Sequence, residues 1–251
     1  MNTSEIQIIG IHGIPQVHRG DDVSSVIVNA MQESGLRPAA LDIFVIAQKI
    51  VSKAEGRIIH LDSVVPSQFA RTWAAAYEKD ARMVEVVLRE SVRIVRMERG
   101  ILISETRHGF ICANAGVDAS NVEPETVTLL PEHPDRSARE IKESIEHHLG
   151  ASVAVIISDS FGRPWREGLV NVALGVAGMD PIVDLRGTLD WCGQPLRVTT
   201  IAVADEVASA AELVMGKNSG TPAALVRGFK YQPTASNASG LIRRSELDLF
   251  R

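Results

Sequence analysis

The sequence predicts an α+β protein in which mixed and antiparallel sheets pack against helices. Short apolar runs rich in β-branched residues indicate buried strands, and apolar residues at helical spacing indicate amphipathic helices. These two kinds of element do not alternate regularly along the chain, as they would in a doubly wound parallel sheet. The 251 residues suffice for one large unit. Within it we expect two intertwined lobes, residues 1–75 with 200–251 and residues 76–199.

The first predicted elements are a strand at residues 6–11, a helix and a second strand. The helix spans residues 23–33, and we expect Asp21 or Asp22 to cap it and Gly35 to end it. Residues 43–46 form an apolar, β-branched run that is typical of a buried strand. By the same criteria we predict helices at residues 66–77 and 81–90 and strands at residues 92–96, 101–105 and 110–113.

The second half of the chain repeats these signals. Ser137 and Glu140 form a capping box, which predicts the start of a helix that Gly150 would end. The apolar face of this helix is formed by Ile141, Ile145 and Leu149. Strands are predicted at residues 152–158, 197–204 and 223–226, and a helix capped by Asp205 would run to Gly216.

Composition excludes several classes of protein. The 26 Lys and Arg against 31 Asp and Glu give a net charge of −5, which argues against broad nucleic-acid or anionic-membrane binding. No apolar run approaches the ~18 residues of a membrane span, and the first residues lack a signal-peptide pattern. Two cysteines are too few for a disulfide framework, so we expect a cytoplasmic protein with reduced thiols. The sequence also lacks the motifs of P-loop and Rossmann nucleotide sites, zinc proteases and α/β-hydrolases.

Residues 114–121, Asn-Ala-Gly-Val-Asp-Ala-Ser-Asn, form a polar segment that follows a predicted strand. Its small residues let a ligand approach the backbone. Asp118 can hold a hard cation, and Asn121 can hydrogen-bond a base or a sugar. The same composition is typical of a polar turn that only joins a strand to a loop, so the residues alone leave both interpretations open.

Residues 156–168 carry a second polar segment, which begins at the end of a buried strand. Asp159 and Ser160 at this position are suited to holding Mg²⁺ against phosphates. Arg163 and Arg166 follow, and arginines recognise carboxylates or phosphates through paired donors. We therefore treat them as candidate substrate contacts. The alternative is a capped turn whose arginines pair with surface acids.

Residues 48–56 contain two lysines directly after the strand predicted at residues 43–46. If the strand continued, Lys49, Val51 and Lys53 would share one face, and the lysines could meet phosphates there. They are equally compatible with solvated charges at a sheet edge. The turn from Gly13 to Gln16 can frame a purine base, although most such turns only join elements.

Taken together and in this order, the segments resemble the coenzyme F420-0:L-glutamate ligase family, the F420:γ-glutamyl ligases. The motifs that carry the resemblance are GIP, QKIVSKAEG, NAGVDASN, SDSFGRPWREG, ADE and MGK. They extend from about Gly10 to Phe229, nearly the whole chain, which is similar to the stand-alone form of the family. The resemblance implies GTP-dependent addition of one or more L-glutamates to a deazaflavin coenzyme precursor, through an acyl phosphate, with γ-linkages between glutamates. It also implies the family's α+β fold, a homodimer, Mg²⁺ or Mn²⁺, and an assisting monovalent cation such as K⁺.

The resemblance further implies roles for individual residues. The family's guanine-nucleotide turn matches Ile14, Pro15, Gln16 and Val17, and its other nucleotide contacts match Gln48, Lys49, Lys53 and Asn121. Its divalent-cation ligands match Asp118, Asp159 and Ser160, and the catalytic residues would be Lys53, Asp118 and Asp159. Archaeal members carry an acidic metal-site residue after Met-Gly, where this chain has Lys217. A protonated lysine cannot ligate a metal, so a water, another carboxylate or a phosphate contact by Lys217 would take its place.

Two other functions remain compatible with these residues. The same nucleotide and metal site can serve another carboxylate acceptor or another amino acid. A non-catalytic nucleotide-binding module would bind GTP without turnover, although a pure binder has less need of two metal-binding carboxylates. In each case the expected ligands are small molecules, with no nucleic-acid or membrane partner.

Overall fold

The structure is a computed structural model that describes residues 5–248. The outermost residues of the first predicted lobe, 1–4 and 249–251, lie outside the described residues. The strands are β1 Gln7–Gly10, β2 Ile43–Ala47, β3 Ile58–His60, β4 Ser91–Glu98, β5 Ile101–Thr106, β6 Ile111–Ala113, β7 Thr126–Thr128, β8 Ala154–Arg163, β9 Arg166–Ala177, β10 Val183–Asp184, β11 Thr200–Ile201 and β12 Ala223–Arg227. The α-helices are α1 Val23–Glu33, α2 Gln48–Ala54, α3 Gln68–Tyr77, α4 Ala81–Glu90, α5 Pro134–Leu149 and α6 Val203–Met215.

The central sheet has five strands in the order β1-β12-β2-β8-β9. β2 and β8 run parallel, and the other neighbouring strands are antiparallel. The smaller sheets are β4-β5-β6, β3-β7 and β10-β11, so the predicted α+β class is confirmed. Because of these strand directions, β1 and β2 end at the same edge of the central sheet where β12 begins and the buried part of β8 ends. Chain segments next to four strands therefore meet at this edge.

Helices cover both faces of the central sheet. On β2, Phe44 and Ile46 belong to the core shared with α1 and α5, whereas Ile43 and Val45 belong to the core shared with α6. All four side chains are fully buried, which explains why this strand contains no polar residue. Burying a large aliphatic or aromatic side chain contributes roughly 1.5–3 kcal/mol. This packing therefore fixes the position of β2, which ends at the same edge of the central sheet as β1.

A third core packs α3 and α4 beside the β4-β5-β6 sheet. Its members come from both sides of residue 75, for example Leu61, Ala74, Val84 and Leu102. β8 and β9 lie within residues 76–199, yet they belong to the central sheet with β1, β2 and β12. The chain thus enters and leaves the central sheet more than once, and the lobe boundaries expected at residues 75 and 199 stay a prediction.

Local sequence signals located several elements correctly. α1 has the predicted bounds, and the Asp22 carboxylate caps it by accepting a hydrogen bond from the Ser24 N–H at 3.0 Å. α4 also has its predicted bounds. Gly150 follows α5 with a left-handed φ of 65°, as expected of a glycine that ends a helix. Cys112 and Cys192 are free thiols, as predicted.

Residues 48–54 form α2 and do not continue strand β2, which corrects the strand interpretation. Lys49 and Lys53 still share a face, because residues four apart are neighbours on a helix. Val51 does not share that face, since it is buried in the core with α1. The β-branched Ile50 and Val51 fit a strand as well as a helix, so tertiary packing decides between the two.

Both predicted helix caps in the second half of the chain were wrong. α5 begins at Pro134, so Ser137 lies inside the helix, where its hydroxyl donates to the Glu55 carboxylate at 2.5 Å. Asp205 lies in the first turn of α6, and its carboxylate accepts from the Ala173 N–H at 2.8 Å instead of capping the helix. In each case a tertiary hydrogen bond replaces the local one.

Two strand predictions also need correction. The strand expected at residues 197–204 is only the two-residue β11, because α6 already begins at residue 203. The twelve-residue β9 was not predicted, since its charged and glycine-containing start looked like a turn. Among the helices within residues 5–248, none has the length and apolar character that a membrane crossing requires.

Candidate active site

A cleft of about 620 Å³ lies at the edge of the central sheet where β1, β2 and the buried part of β8 end and β12 begins. The turn after β1 contributes Ile14, Pro15, Gln16 and Val17, and α2 contributes Gln48, Lys49 and Lys53. The remaining predicted residues in its lining are Asp118, Asn121, Asp159 and Ser160. The cleft thus gathers every residue that the sequence analysis assigned to nucleotide or cation binding. Their binding roles stay predictions.

Main-chain pairing fixes the relative positions of three lining segments. Ala47 is paired with Ser158 across the parallel strands β2 and β8. Gln48 and Asp159 therefore follow side by side at the sheet edge. The Ala47 N–H donates to the carbonyl of Pro222 at 2.8 Å, which holds the segment before β12 against them.

The Asp118 loop reaches the cleft through an unusual turn. Asn114, Ala115 and Gly116 have φ values of 53°, 52° and 73°. A left-handed conformation costs a non-glycine residue roughly 1–2 kcal/mol, and the buried side chain of Ala115 helps to offset this cost. Asp118 then exchanges main-chain hydrogen bonds with Thr128 at 3.1 and 2.8 Å. Its carboxylate is therefore carried on a fixed backbone.

The two aspartates in the cleft lining have pKa values that are shifted in opposite directions. Burial, together with the negative charge of Asp118, raises the pKa of Asp159 to about 6, although a hydrogen bond from the Ser160 N–H and the positive charges of Lys49 and Lys217 act against this. Burial also acts to raise the pKa of Asp118, but hydrogen bonds from Lys49 and Ser120 outweigh it and leave this pKa lowered. Interacting carboxylates whose pKa values are shifted in this way are typical of functional sites.

Two ammonium groups tie α2 to the Asp118 loop. Lys49 Nζ lies 2.7 Å from Asp118 Oδ2 and also donates to the main-chain and side-chain oxygens of Ser120. Lys53 Nζ donates to the carbonyl of Asn121 at 2.7 Å. Burial, and then the charge of Lys49, lower the pKa of Lys53. Both ammonium groups line the cleft, where they can meet an anionic ligand.

Two buried polar atoms in the cleft lining have no hydrogen-bond partner within the described part of the chain. They are Gln48 Nε2 and Ser158 Oγ. The Ser52 hydroxyl donates to Gln48 Oε1 at 2.7 Å, so the Gln48 amide protons are left for another partner. A buried polar group without a partner costs about 1–3 kcal/mol. These atoms are therefore available to a polar ligand in the cleft, and a purine or phosphate oxygen would suit the Gln48 amide.

Two hydrogen bonds link Ser160 to Glu212 through Asn171. Ser160 Oγ donates to Asn171 Oδ1 at 2.7 Å, and Asn171 Nδ2 donates to Glu212 Oε2 at 2.9 Å. Asn171 and Glu212 also line the cleft. Neither residue was predicted from the sequence, because β9 was not predicted and an acidic residue on a helix is usually solvated.

The donor set suits a divalent cation that also binds phosphate. Asp118, Asp159 and Ser160 offer only oxygen atoms, which Mg²⁺ and Mn²⁺ prefer. Within residues 5–248, no group of three or more His, Cys, Asp and Glu could hold a metal ion by itself. Magnesium is usually bound by one or two carboxylates, with substrate phosphates completing its coordination. The residues present therefore fit a cation that binds together with a nucleotide.

The two predicted substrate arginines are not among the residues that line the cleft. Arg163 and Arg166 lie at the tip of the β8-β9 hairpin. The Arg163 guanidinium donates to the carbonyls of Glu167 at 2.7 Å and Gly168 at 3.4 Å, which braces the hairpin turn. Their assignment to substrate binding stays a prediction. Lys217, by contrast, does line the cleft, as does the glycine-containing segment around it.

Comparisons with known proteins agree with the resemblance. The family model described as F420-0:Gamma-glutamyl ligase matches residues 12–228. The coenzyme F420:L-glutamate ligase of Methanothermobacter thermautotrophicus is 47% identical over 249 residues, covering 98% of this chain and 99% of the relative. The proteins of the same name from Methanopyrus kandleri and Methanocaldococcus jannaschii are 46% and 40% identical, with 94% and 98% of this chain and 94% and 97% of the relatives covered. Because the family model spans most of the chain and the relatives align over nearly all of it, the chain belongs to the F420-0:gamma-glutamyl ligase family.

Proposed function

We propose that this chain is a ligase that uses GTP to add L-glutamate to the deazaflavin coenzyme F420-0 in coenzyme F420 biosynthesis. The family membership and the names of the relatives support the ligase activity and the substrates. The nucleotide and cation part of the proposal is supported by the fact that one cleft contains all of the matched residues. This cleft gathers residues between positions 14 and 160 that match the family's nucleotide and cation contacts.

The proposed reaction has two steps. The terminal carboxylate of F420-0 attacks the γ-phosphorus of GTP, and the bond from this phosphorus to the β,γ-bridging oxygen breaks, so that GDP leaves and an acyl phosphate forms. The glutamate amine then attacks the acyl carbon, and inorganic phosphate and a proton are released. A further cycle on the γ-carboxylate of the added glutamate gives a γ-linked chain.

The side chains of the cleft support these steps. Residues 14–17 and Gln48 would hold the guanine nucleotide, and Lys49 and Lys53 would stabilise charge on the transferring phosphate. Mg²⁺ or Mn²⁺ would be held by Asp118, Asp159 and Ser160. When bound, the cation neutralises charge between two anions that otherwise repel each other. Lys217 would contact phosphate at the place where the resemblance leads us to expect an acidic residue, and K⁺ would assist.

The test is mass spectrometry of F420-0 incubated with the protein, GTP, L-glutamate and either Mg²⁺ or Mn²⁺. We expect a mass gain of one or more glutamyl units together with release of GDP. The Asp159→Asn variant should lose this turnover and remain folded. If the wild-type protein binds GTP but forms no product, the function shifts to another acceptor or to a non-catalytic nucleotide-binding module.

We further propose that the protein works in the cytoplasm as a homodimer whose substrates are small molecules. The net charge of −5 and the two free thiols support this setting. Large apolar side chains on the surface, among them Trp165 and Trp191, support the dimer.

A further inference from the structure

Two hydrogen bonds link Ser160 to Asn171 and Asn171 to Glu212. The Glu212 carboxylate determines which group donates and which accepts in both of them. An ionised carboxylate only accepts hydrogen bonds, so the amide NH₂ of Asn171 must face Glu212, as the 2.9 Å contact has it. Asn171 Oδ1 then faces Ser160 and can only accept. Ser160 has one hydroxyl proton and must donate it to Asn171. The Ser160 oxygen can therefore present only its lone pairs to a ligand in the cleft.

We propose that Asn171 and Glu212 are positioning residues that make Ser160 a cation ligand. This inference rests on the proposed function, because it concerns the hydroxyl assigned to the cation site. A serine hydroxyl that donated its proton into the cleft would repel a cation. A hydroxyl whose proton is already bound elsewhere presents only its lone pairs, as a metal ligand must. Neither Asn171 nor Glu212 has to touch the cation for this effect.

The fold holds the two positioning residues in place. Asn171 is paired with Ser160 across β8 and β9, and only 4% of it is exposed. The Ser209 hydroxyl of α6 donates to the Asn171 carbonyl at 2.7 Å, and α6 also carries Glu212. Sheet register and helix packing together therefore keep the Asn171 amide between its two partners. Partners of this kind, one step beyond the metal ligands, typically change metal affinity about 10- to 100-fold when mutated.

The experiment measures Mn²⁺ binding by electron paramagnetic resonance titration of the whole protein in the presence of GDP. Asn171→Leu has a similar volume but removes the acceptor for the Ser160 proton, so Mn²⁺ affinity should fall about 10- to 100-fold. Glu212→Gln allows both orientations of the Asn171 amide, so it should cause a smaller loss. The Ser63→Ala variant is the control, because it removes an exposed serine hydroxyl that donates to the His60 carbonyl and does not line the cleft. It should bind Mn²⁺ as the wild-type protein does.

A double variant restores the direction of the two hydrogen bonds, with Ser160 again as the donor. Combining Asn171→Asp with Glu212→Gln puts a carboxylate next to Ser160 and a carboxamide behind it, and the net charge is unchanged. The new carboxylate again accepts from Ser160, so Mn²⁺ affinity should return close to the wild-type value. Thermal unfolding of each variant checks that the fold is retained, and the restored binding of the double variant separates hydrogen-bond direction from loss of structure.

The possible results distinguish this inference from the proposed function. Unchanged Mn²⁺ affinity in Asn171→Leu overturns the inference, and the ligase assay by mass spectrometry is then unaffected. Glu212→Gln could instead lower Mn²⁺ affinity as much as Asn171→Leu or more, with no recovery in the double variant. That result would mean that Glu212 binds the cation directly, and it would also overturn the inference. If the wild-type protein with GDP binds no Mn²⁺, the inference and the cation part of the proposed function both fail, and the ligase assay still decides the activity.

Discussion

At the scale of single residues, Asp159 is a carboxylate that the fold makes costly to ionise. Its pKa is raised from 3.8 to about 6 by burial and by the charge of Asp118. Between these values the native state binds more protons than the unfolded state, so the free energy of unfolding falls as the pH rises through this window. In metal-free protein at about pH 7.5, Asp159→Asn should raise the free energy of unfolding by about 1–3 kcal/mol. Urea unfolding in EDTA at a series of pH values measures this, and the gain should vanish below about pH 4.

Asp118 provides the matched comparison, because its pKa is shifted the other way. A lowered pKa stabilises the native state above the ordinary value of 3.8, and this contribution is lost as the pH falls through the native pKa. Asp118→Asn also removes the 2.7 Å ion pair with Lys49. It should therefore lower the free energy of unfolding at neutral pH, with a difference that narrows in acid. Stabilisation by both substitutions at neutral pH would contradict the opposite roles assigned here.

Lys53 is the residue whose loss should weaken GTP binding most directly. Its ammonium group lines the cleft and donates to the Asn121 carbonyl. Lys53→Met keeps the apolar stem and removes the charge, and a hydrogen bond to a charged group contributes about 1.5–3 kcal/mol. The KM for GTP should therefore rise about 10- to 100-fold in steady-state kinetics. Arg136→Ala, which removes an exposed arginine on α5, should leave it unchanged.

At the scale of elements, the sequence predicts those elements whose signals are local. α1 has a capping aspartate, and α5 has a glycine at its end. α2 has no side-chain cap and is only seven residues long, so local propensity cannot separate it from a continued strand. β9 depends on its pairing with β8 and on the helices that cover it. Its start, Arg166 to Gly168, has no strand signal of its own.

Gly175 on β9 tests how closely α5 approaches the sheet. A Cβ atom at this position would lie 2.3 Å from the Pro134 carbonyl oxygen at the start of α5. Backbone cannot move away as a flexible side chain can, so Gly175→Ala should lower the free energy of unfolding by roughly 1–3 kcal/mol. Gly162→Ala is the control on β8, because the nearest atom to its Cβ is 4.0 Å away. Equal stability of the two variants in urea unfolding would show that α5 does not press on β9 as described.

At the scale of the whole molecule, the sequence predicts which residues line the cleft but not how the fold brings them together. The motifs give the order of Gln16, Gln48, Asp118 and Asp159 along the chain. Their proximity depends on the parallel pairing of β2 with β8 and on the return of β12 between β1 and β2. These pairings join distant parts of the chain and leave no local signal. For the same reason the network through Asn171 became visible only in the folded protein.

The surface of the molecule leads to the last prediction, which concerns its oligomeric state. Trp165 and Leu169 at the tip of the β8-β9 hairpin are 81% and 57% exposed, and Trp191 is fully exposed between β10 and β11. Large apolar side chains concentrated in exposed segments are typical of a protein–protein interface. We therefore expect light scattering after size-exclusion chromatography to give twice the chain mass of 27.2 kDa.

Replacing one of these side chains should identify the covered surface. Trp191→Ser should shift the equilibrium towards the single chain, because a tryptophan in an interface commonly carries 2 kcal/mol or more of binding energy, about a 30-fold loss of affinity. Leu213→Ser on α6 is the control, since Leu213 is 84% exposed but lies outside both segments. A single-chain mass for the wild-type protein at micromolar concentration would contradict the homodimer. Equal dissociation of both variants would place the interface elsewhere on the surface.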